Sequence, residues 1–288
     1  MEAGALGRPS PLRPAPPKQS LGSDFLRGLA DPARNVVEEA GKMASFSGRA
    51  FLELRGVPRY SGEVIRQAGI LIAGSALIIW FMNFIIGTMC GTEAVYTLRG
   101  YGATAYAGAF TTLCGTREMG PYMFAYMLSA KVGCGLVAEI GSMRIGEEID
   151  AMESIGLSSM RYIVGTRLVA AFLTLPLLFI VGLAFTNLGH YVVVVVQLGD
   201  ISQGGWESVH WALQNPRDIL YVVIKTMFMS TVILLVAMYY GYNASGGPVG
   251  VGSATARSMI FNLVVVNVTS TLMTLLFWGL DAKLPIGG

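Results

Sequence analysis

From Gln67 to Thr92 the chain runs for 26 residues without a charged side chain. As a helix such a run reaches about 39 Å, more than the ~30 Å of a bilayer's hydrocarbon core. A backbone in hydrocarbon must satisfy its own hydrogen bonds, so the run is a transmembrane helix and not a strand or loop. Similar stretches recur. No Lys, Arg, Asp or Glu falls between Arg167 and Asp200, and apolar runs fill Asp218–Tyr242 and Ser258–Leu280. Only 13% of the 288 residues are charged, whereas a soluble domain carries nearer a quarter. The expected fold is all-α and integral to the membrane, with crossings at about 67–90, 103–138, 165–197, 218–242 and 258–280.

The second of these is too long for one straight crossing and is interrupted by Arg117, Glu118, Gly120-Pro121 and Lys131. It reads as one long, broken helix that extends past the bilayer, or as two segments. Ten of the twenty Lys and Arg precede Gln67, which places the N-terminus in the cytoplasm. Residues 1–31, rich in Pro, Gly and Ser, have the composition of a disordered cytoplasmic tail. Residues 32–62 suit an amphipathic interfacial helix on the inner leaflet, and 63–288 the membrane domain. With five crossings, a Gly-rich turn at Gly246–Arg257 also faces the cytoplasm. A short outer loop falls at about Gly91–Gly102, residues 199–217 form a polar outer loop with two Trp, and the C-terminus lies outside. Two crossings within 103–138 would invert everything after it.

Between the second and third crossings lies a stretch that cannot enter hydrocarbon. Glu147, Glu148, Asp150 and Glu153 crowd seven residues, and each carboxylate would cost several kcal/mol at membrane depth. Ile145, Ile149, Met152 and Ile155 are spaced 4, 3 and 3, one face of a helix over about 144–158. A helix lying flat on lipid is usually Lys/Arg-rich. This one is acidic, which favours a protein partner with a basic groove.

Other polar residues are weighed against structural uses. Arg117 and Glu118 lie at membrane depth, where charges are functional candidates and normally find partners. As sequence neighbours they point apart on a regular helix. Either the break at Gly120-Pro121 lets them meet or each pairs with another segment, and a purely structural ion pair is the plainer alternative. Lys131 and Glu139 share one face, with Glu139 at the inner boundary where snorkelling makes it cheap. Cys90, Cys114 and Cys134 read as small buried hydrophobes. His190 and His210 lack a carboxylate cluster, so no metal site is expected. Asn83, Asn187, Asn262 and Asn267 suit interhelical hydrogen bonds, and 36 glycines suit close helix contacts. No GxxxxGK[ST] occurs, so the chain holds no P-loop and cannot hydrolyse ATP by that route.

TREMGP, AEIGSMRIGEEIDAMESIGL, TRLVA and GPVGVGSATAR, in that order, resemble the MlaE/YrbE family of permeases in MCE-associated lipid ABC transporters. The resemblance covers roughly residues 30–280. It implies an interfacial helix, five transmembrane helices and a cytoplasmic coupling helix that docks on a separate ATPase dimer carrying ATP and Mg. It also implies a second permease, identical or paralogous, whose interface forms the lipid pocket, and MCE-domain proteins on the outer side. Glu147, Glu148, Ile149, Asp150, Met152 and Glu153 fall on the coupling motif; Arg117, Glu118, Gly120 and Pro121 fall on the motif in the second crossing. Many members have Thr-Glu-Gln where this chain has Gly146-Glu147-Glu148, and a Gly there should start the helix late. The long Pro-rich tail resembles the actinobacterial branch with paired permeases, which implies a heterodimer in the inner membrane and favours import of a fatty acid or sterol over phospholipid trafficking. No cofactor is expected on this chain, nor nucleic acid as a partner. A stand-alone secondary transporter or channel would call for inverted repeats, and none is visible. A membrane-embedded enzyme would need clustered His, Asp or Cys at one depth, which the sequence lacks. A scaffold for outer lipid-binding proteins is the third rival.

Overall fold

The structure is a computed structural model that describes residues 21–279. The tail expected over 1–31 lies partly outside the described residues, as does the outer tail after Leu280. The helices are α1 (Leu21–Glu53), α2 (Ser61–Arg99), α3 (Thr104–Ile145), α4 (Glu148–Ser154), α5 (Met160–Gln197), α6 (Gln203–Leu213), α7 (Pro216–Tyr242) and α8 (Gly247–Trp278). Among the described residues there is no strand. Five helices, α2, α3, α5, α7 and α8, are long and apolar enough to cross a membrane.

Two compact units divide at Ala44/Ser45. The first holds the start of α1, which begins inside the stretch expected to be tail and carries a Glu38–Lys42 pair one turn apart at 2.9 Å. The second holds everything that follows. There Phe46 and Ala50, at the end of α1, are buried in the bundle's own core, with the Phe46 ring against Tyr239 and Tyr242. This part of the expected interfacial helix packs on protein. Glu53 then meets Arg161 of α5 at 2.7 Å.

The spans are antiparallel, so the helix ends fall into two groups. Tyr242 of α7 reaches Glu153 of α4 at one end; Arg99 of α2 reaches Asp200 beyond α5 at the other, at 2.6 Å. α2 and α5 are welded by small residues. A Cβ on Gly87 would lie 2.0 Å from the Thr186 carbonyl oxygen, and one on Gly189 would lie 2.2 Å from that of Phe84. A Cβ on Gly91 would lie 2.4 Å from a side-chain methyl of Val193. Backbones this close gain dispersion that larger side chains would forbid. Asn83 accepts from Thr186 across the same seam at 3.3 Å.

Several boundaries differ from the sequence reading. The loop expected at Gly91–Gly102 is mostly helix. Gly91 serves contact with α5, and the chain turns only at Gly100–Gly102, where Gly102 takes φ 66°. The loop expected over 199–217 contains α6. Trp206, His210 and Leu213, spaced 4 and 3, bury one face, and Ser202 caps the helix by accepting from the Gly205 amide. Trp206 donates to His190 Nδ1 at 3.0 Å and stacks on His210, whose burial pushes its imidazole down to about 4. The Gly-rich turn ends early, because Gly246 and Gly247 take positive φ and Pro248 falls in the first turn of α8. Cys90 and Cys114, read as small hydrophobes, are bonded as a disulfide between α2 and α3, helices that bring them side by side with Cα atoms 6.0 Å apart.

The α2–α5 seam makes a direct prediction. Gly189→Ala should lower the thermal unfolding midpoint, since overpacking a tight contact costs about 1–3 kcal/mol. Gly69→Ala, inside the same helix but where a Cβ meets nothing within 4 Å, should hold it or raise it slightly. Equal midpoints for the two variants in a detergent melt would count against the seam.

Candidate functional sites in the membrane spans and the acidic loop

α3 is one helix, and its widened turns place its charges. It is wound more loosely, with i→i+5 geometry, over Thr111–Met119 and Leu128–Gly133. The first such stretch holds Arg117 and Glu118 and ends at Gly120-Pro121. Pro121 has no N–H, so the carbonyl four residues back, that of Arg117, has no helical donor from it. That carbonyl accepts instead from Lys225 Nζ of α7 at 3.2 Å.

Arg117 and Glu118 do not meet each other. Arg117 pairs with Asp218 of α7 at 2.7 Å, both side chains buried, and Trp278 of α8 donates to the second Asp218 oxygen at 3.0 Å. The Arg117 guanidinium also lies 5.5 Å from the Trp278 ring centre. Glu118 pairs with Lys225 at 2.8 Å, and Thr274 of α8 both accepts from Lys225 and donates to Glu118, each at 2.7 Å. Two cations and two anions balance. Lys225 is wholly buried while Glu118 keeps 39% of its side chain exposed, so the network opens to one side.

That side is a cleft of about 430 Å³ between α3 and α8, lined by Glu118, Met119, Tyr122, Asn267, Thr271 and Thr274 among others. Tyr122 hydrogen-bonds to Asn267 and, at 2.9 Å, to Tyr126, which accepts from Asn267. Its surface is apolar with a polar floor, suited to an amphipathic ligand. Asp218, Trp278 and Thr274 escaped the sequence reading. Asp218 and Lys225 lie seven residues apart in an otherwise apolar run, on one face of α7, and that spacing was the available signal.

The acidic loop divides into unlike parts. Gly146 ends α3, Glu147 takes a left-handed φ of 60°, and α4 starts only at Glu148. The single helix expected over 144–158 is therefore the end of α3 plus a short α4, and its apolar stripe is split. Ile149 is fully buried in the chain's own core with Met152 packed beside it, while Ile155, past the helix end, is 80% exposed. Asp150 is paired with Arg144 at 2.6 Å. Glu153, itself exposed, accepts from Ser159 and from Tyr242, the latter at 3.1 Å. Glu147 and Glu148 are exposed, and neither has a partner among the described residues. Glu139, expected to snorkel, pairs with Arg167 of α5 across the helices. Lys131 is exposed and has no partner among the described residues.

A model of the family described as "Permease MlaE" matches residues 64–276. The chain belongs to the MlaE permease family. Membership makes it a component of a membrane transporter, and the matched residues hold nearly all of the five spans, both ion pairs and α4. The chain is 26% identical over 256 residues to the "Intermembrane phospholipid transport system permease protein MlaE" of Haemophilus influenzae, covering 89% of this chain and 98% of that protein. It is also 26% identical over 243 residues to a "Probable ABC transporter permease protein" of Rickettsia bellii, covering 84% and 93%. A similar protein of Synechocystis, also named a probable ABC transporter permease, is 26% identical over 201 residues, 69% of this chain and 74% of its own length.

Two substitutions separate the parts of the ion network. Asp218→Ala leaves Arg117 buried without its anion and should destabilise the protein by about 3–5 kcal/mol. Pro121→Ala restores an N–H that competes with Lys225 for the Arg117 carbonyl. It should fold normally yet lose transport in a reconstituted assay. A Pro121→Ala protein with full transport would show that the freed carbonyl has no functional part.

Proposed function

We propose that the chain is the permease subunit of an ATP-driven lipid transporter of the inner membrane. It works with a second permease, a separate ATPase dimer that binds ATP and Mg, and MCE-domain proteins on the outer side. In this reading the α4 end is cytoplasmic, in keeping with the Lys/Arg excess of the N-terminal segment. The cargo is a lipid, as the name of the Haemophilus relative suggests by analogy. Fatty acid, sterol and phospholipid all suit an apolar cleft with a polar floor.

The observation that carries the reading is the division of labour in α4. Glu147 and Glu148 offer two unpaired carboxylates outward, while Ile149 is buried in the bundle's core and Glu153 is tied to Tyr242 by a hydrogen bond. A partner gripping the outer face would move the inner one, and Glu153 passes that movement to Tyr242 at the end of α7. α7 carries Asp218 and Lys225, so displacement of α7 bears on the ion network and on the floor of the α3–α8 cleft. The exposed row Ile260, Val264, Val268 and Leu272 on α8 flanks this cleft and suits a second permease closing it.

The test is a charge reversal where the fold has no stake. Glu147→Lys together with Glu148→Lys should leave the thermal midpoint unchanged, abolish co-purification of the ATPase and stop lipid transport. Normal co-purification with full transport in that variant refutes the docking role.

A further inference from the structure

A second cavity, of about 260 Å³, lies between α2, α3 and the first turns of α5, away from the α3–α8 cleft. Its walls include Ile70, Leu71, Val132, Leu136 and Leu234, and two of its polar lining residues are the cations Lys131 and Arg167. Arg167 is only 7% exposed, donates to the Ile163 carbonyl and to Glu139, and leaves its buried Nε without a partner. Lys131 has no ion pair or hydrogen bond among the described residues. Glu139 also lines the cavity but is already engaged by Arg167. These three residues leave one positive charge in excess.

Depth sharpens the point. Lys131 lies eight residues before Glu139, about 12 Å farther from the α4 end along α3. A cation that deep on a lipid-facing wall is costly unless an anion meets it. Lys131 and Arg167 line the same cavity, so an anion inside it can meet both cations.

Glycines keep the space open. On the α2–α5 seam, glycines exist because a Cβ would strike the opposite backbone. At Gly74 and Gly135, which both line this cavity, a Cβ would meet nothing within 4 Å. Neither position needs Gly for close packing, and each costs about 0.5–1 kcal/mol in a helix relative to Ala. What they preserve is volume.

We propose that this cavity binds a membrane lipid with an anionic headgroup, phosphate or carboxylate, held between Lys131 and Arg167 at the α4 end, with its chain along the apolar walls. The site needs only that the chain sits in a bilayer. It does not rest on the cargo of the α3–α8 cleft, so either can fail alone.

The test is native mass spectrometry of the full-length protein in detergent, titrated in parallel with phosphatidylglycerol, oleate and phosphatidylcholine. The wild type should retain the two anionic lipids over the zwitterionic one by roughly tenfold, the worth of one charge-assisted hydrogen bond. Lys131→Gln, which breaks no contact, should bring that ratio close to one. Gly135→Leu, which fills the cavity and favours helix, should lower retention of the anionic lipids with Lys131 intact. An unchanged ratio in Lys131→Gln overturns the proposal. So does displacement of phosphatidylglycerol by equimolar inorganic phosphate, which would mark a soluble-anion site, and so does full retention in Gly135→Leu.

Discussion

A lysine inside a membrane protein is tolerable only if all three of its protons are placed, and Lys225 depends for one of them on a proline in another helix. Its ammonium donates to Glu118 Oε2, to Thr274 Oγ1 and to the Arg117 carbonyl, which exhausts its donors. The last acceptor exists because Pro121 cannot supply the helical N–H that would otherwise compete for it. One missing hydrogen on α3 is thus compensated by a charge on α7. The widened turn at Thr111–Met119 aims Arg117 and Glu118 at different partners. α3, α7 and α8 are consequently held by a network in which removing any member leaves another buried and unpaired.

The bundle therefore has two kinds of interface. α2 and α5 meet backbone to backbone at Gly87 and Gly189, and valine side chains pack on Gly91, with no room to slide. The α3–α7–α8 side meets through ion pairs, hydroxyls and tyrosines around an open cleft. Packed glycine seams are specific but have one arrangement. Polar networks can exchange partners at modest cost when water or a ligand's headgroup enters, and Glu118, half open to the cleft, is where such an exchange would begin. The architecture confines adaptability to the side that carries the larger cavity.

Much of this was legible in the sequence, and what was missed has physical reasons. The number of spans, their order and the surface position of the acidic stretch follow from hydropathy and charge, which act locally. Arg117, Glu118, Lys131 and Glu139 were visible as charges at membrane depth, because burying a charge is rare enough to be noticed. Their partners were not, since Asp218 and Lys225 lie more than a hundred residues away and pair through tertiary packing alone. The Cys90–Cys114 bond was hidden for the same reason. α6 was taken for a loop because its polar face dominates composition, although Trp206, His210 and Leu213 carry the helical spacing. The end of α2 was misplaced because Gly91 was read as a break where it serves as a contact.

The acidic loop shows why a count of charges is a poor guide to what a surface offers. Four carboxylates in seven residues suggest a uniformly acidic handle. Yet Arg144 neutralises Asp150, and Glu153 is engaged as an acceptor for Ser159 and Tyr242. What remains unpaired is Glu147 and Glu148, set at the start of α4 by the left-handed turn at Glu147. That turn requires φ 60° at Glu147, a conformation disfavoured for a non-glycine residue. Its reward is geometric: it ends α3 abruptly, so that α4 leaves at a new angle and Ile149 can plug the core. A handle that transmits force needs both a free face and a fixed one, and here a single strained residue separates them.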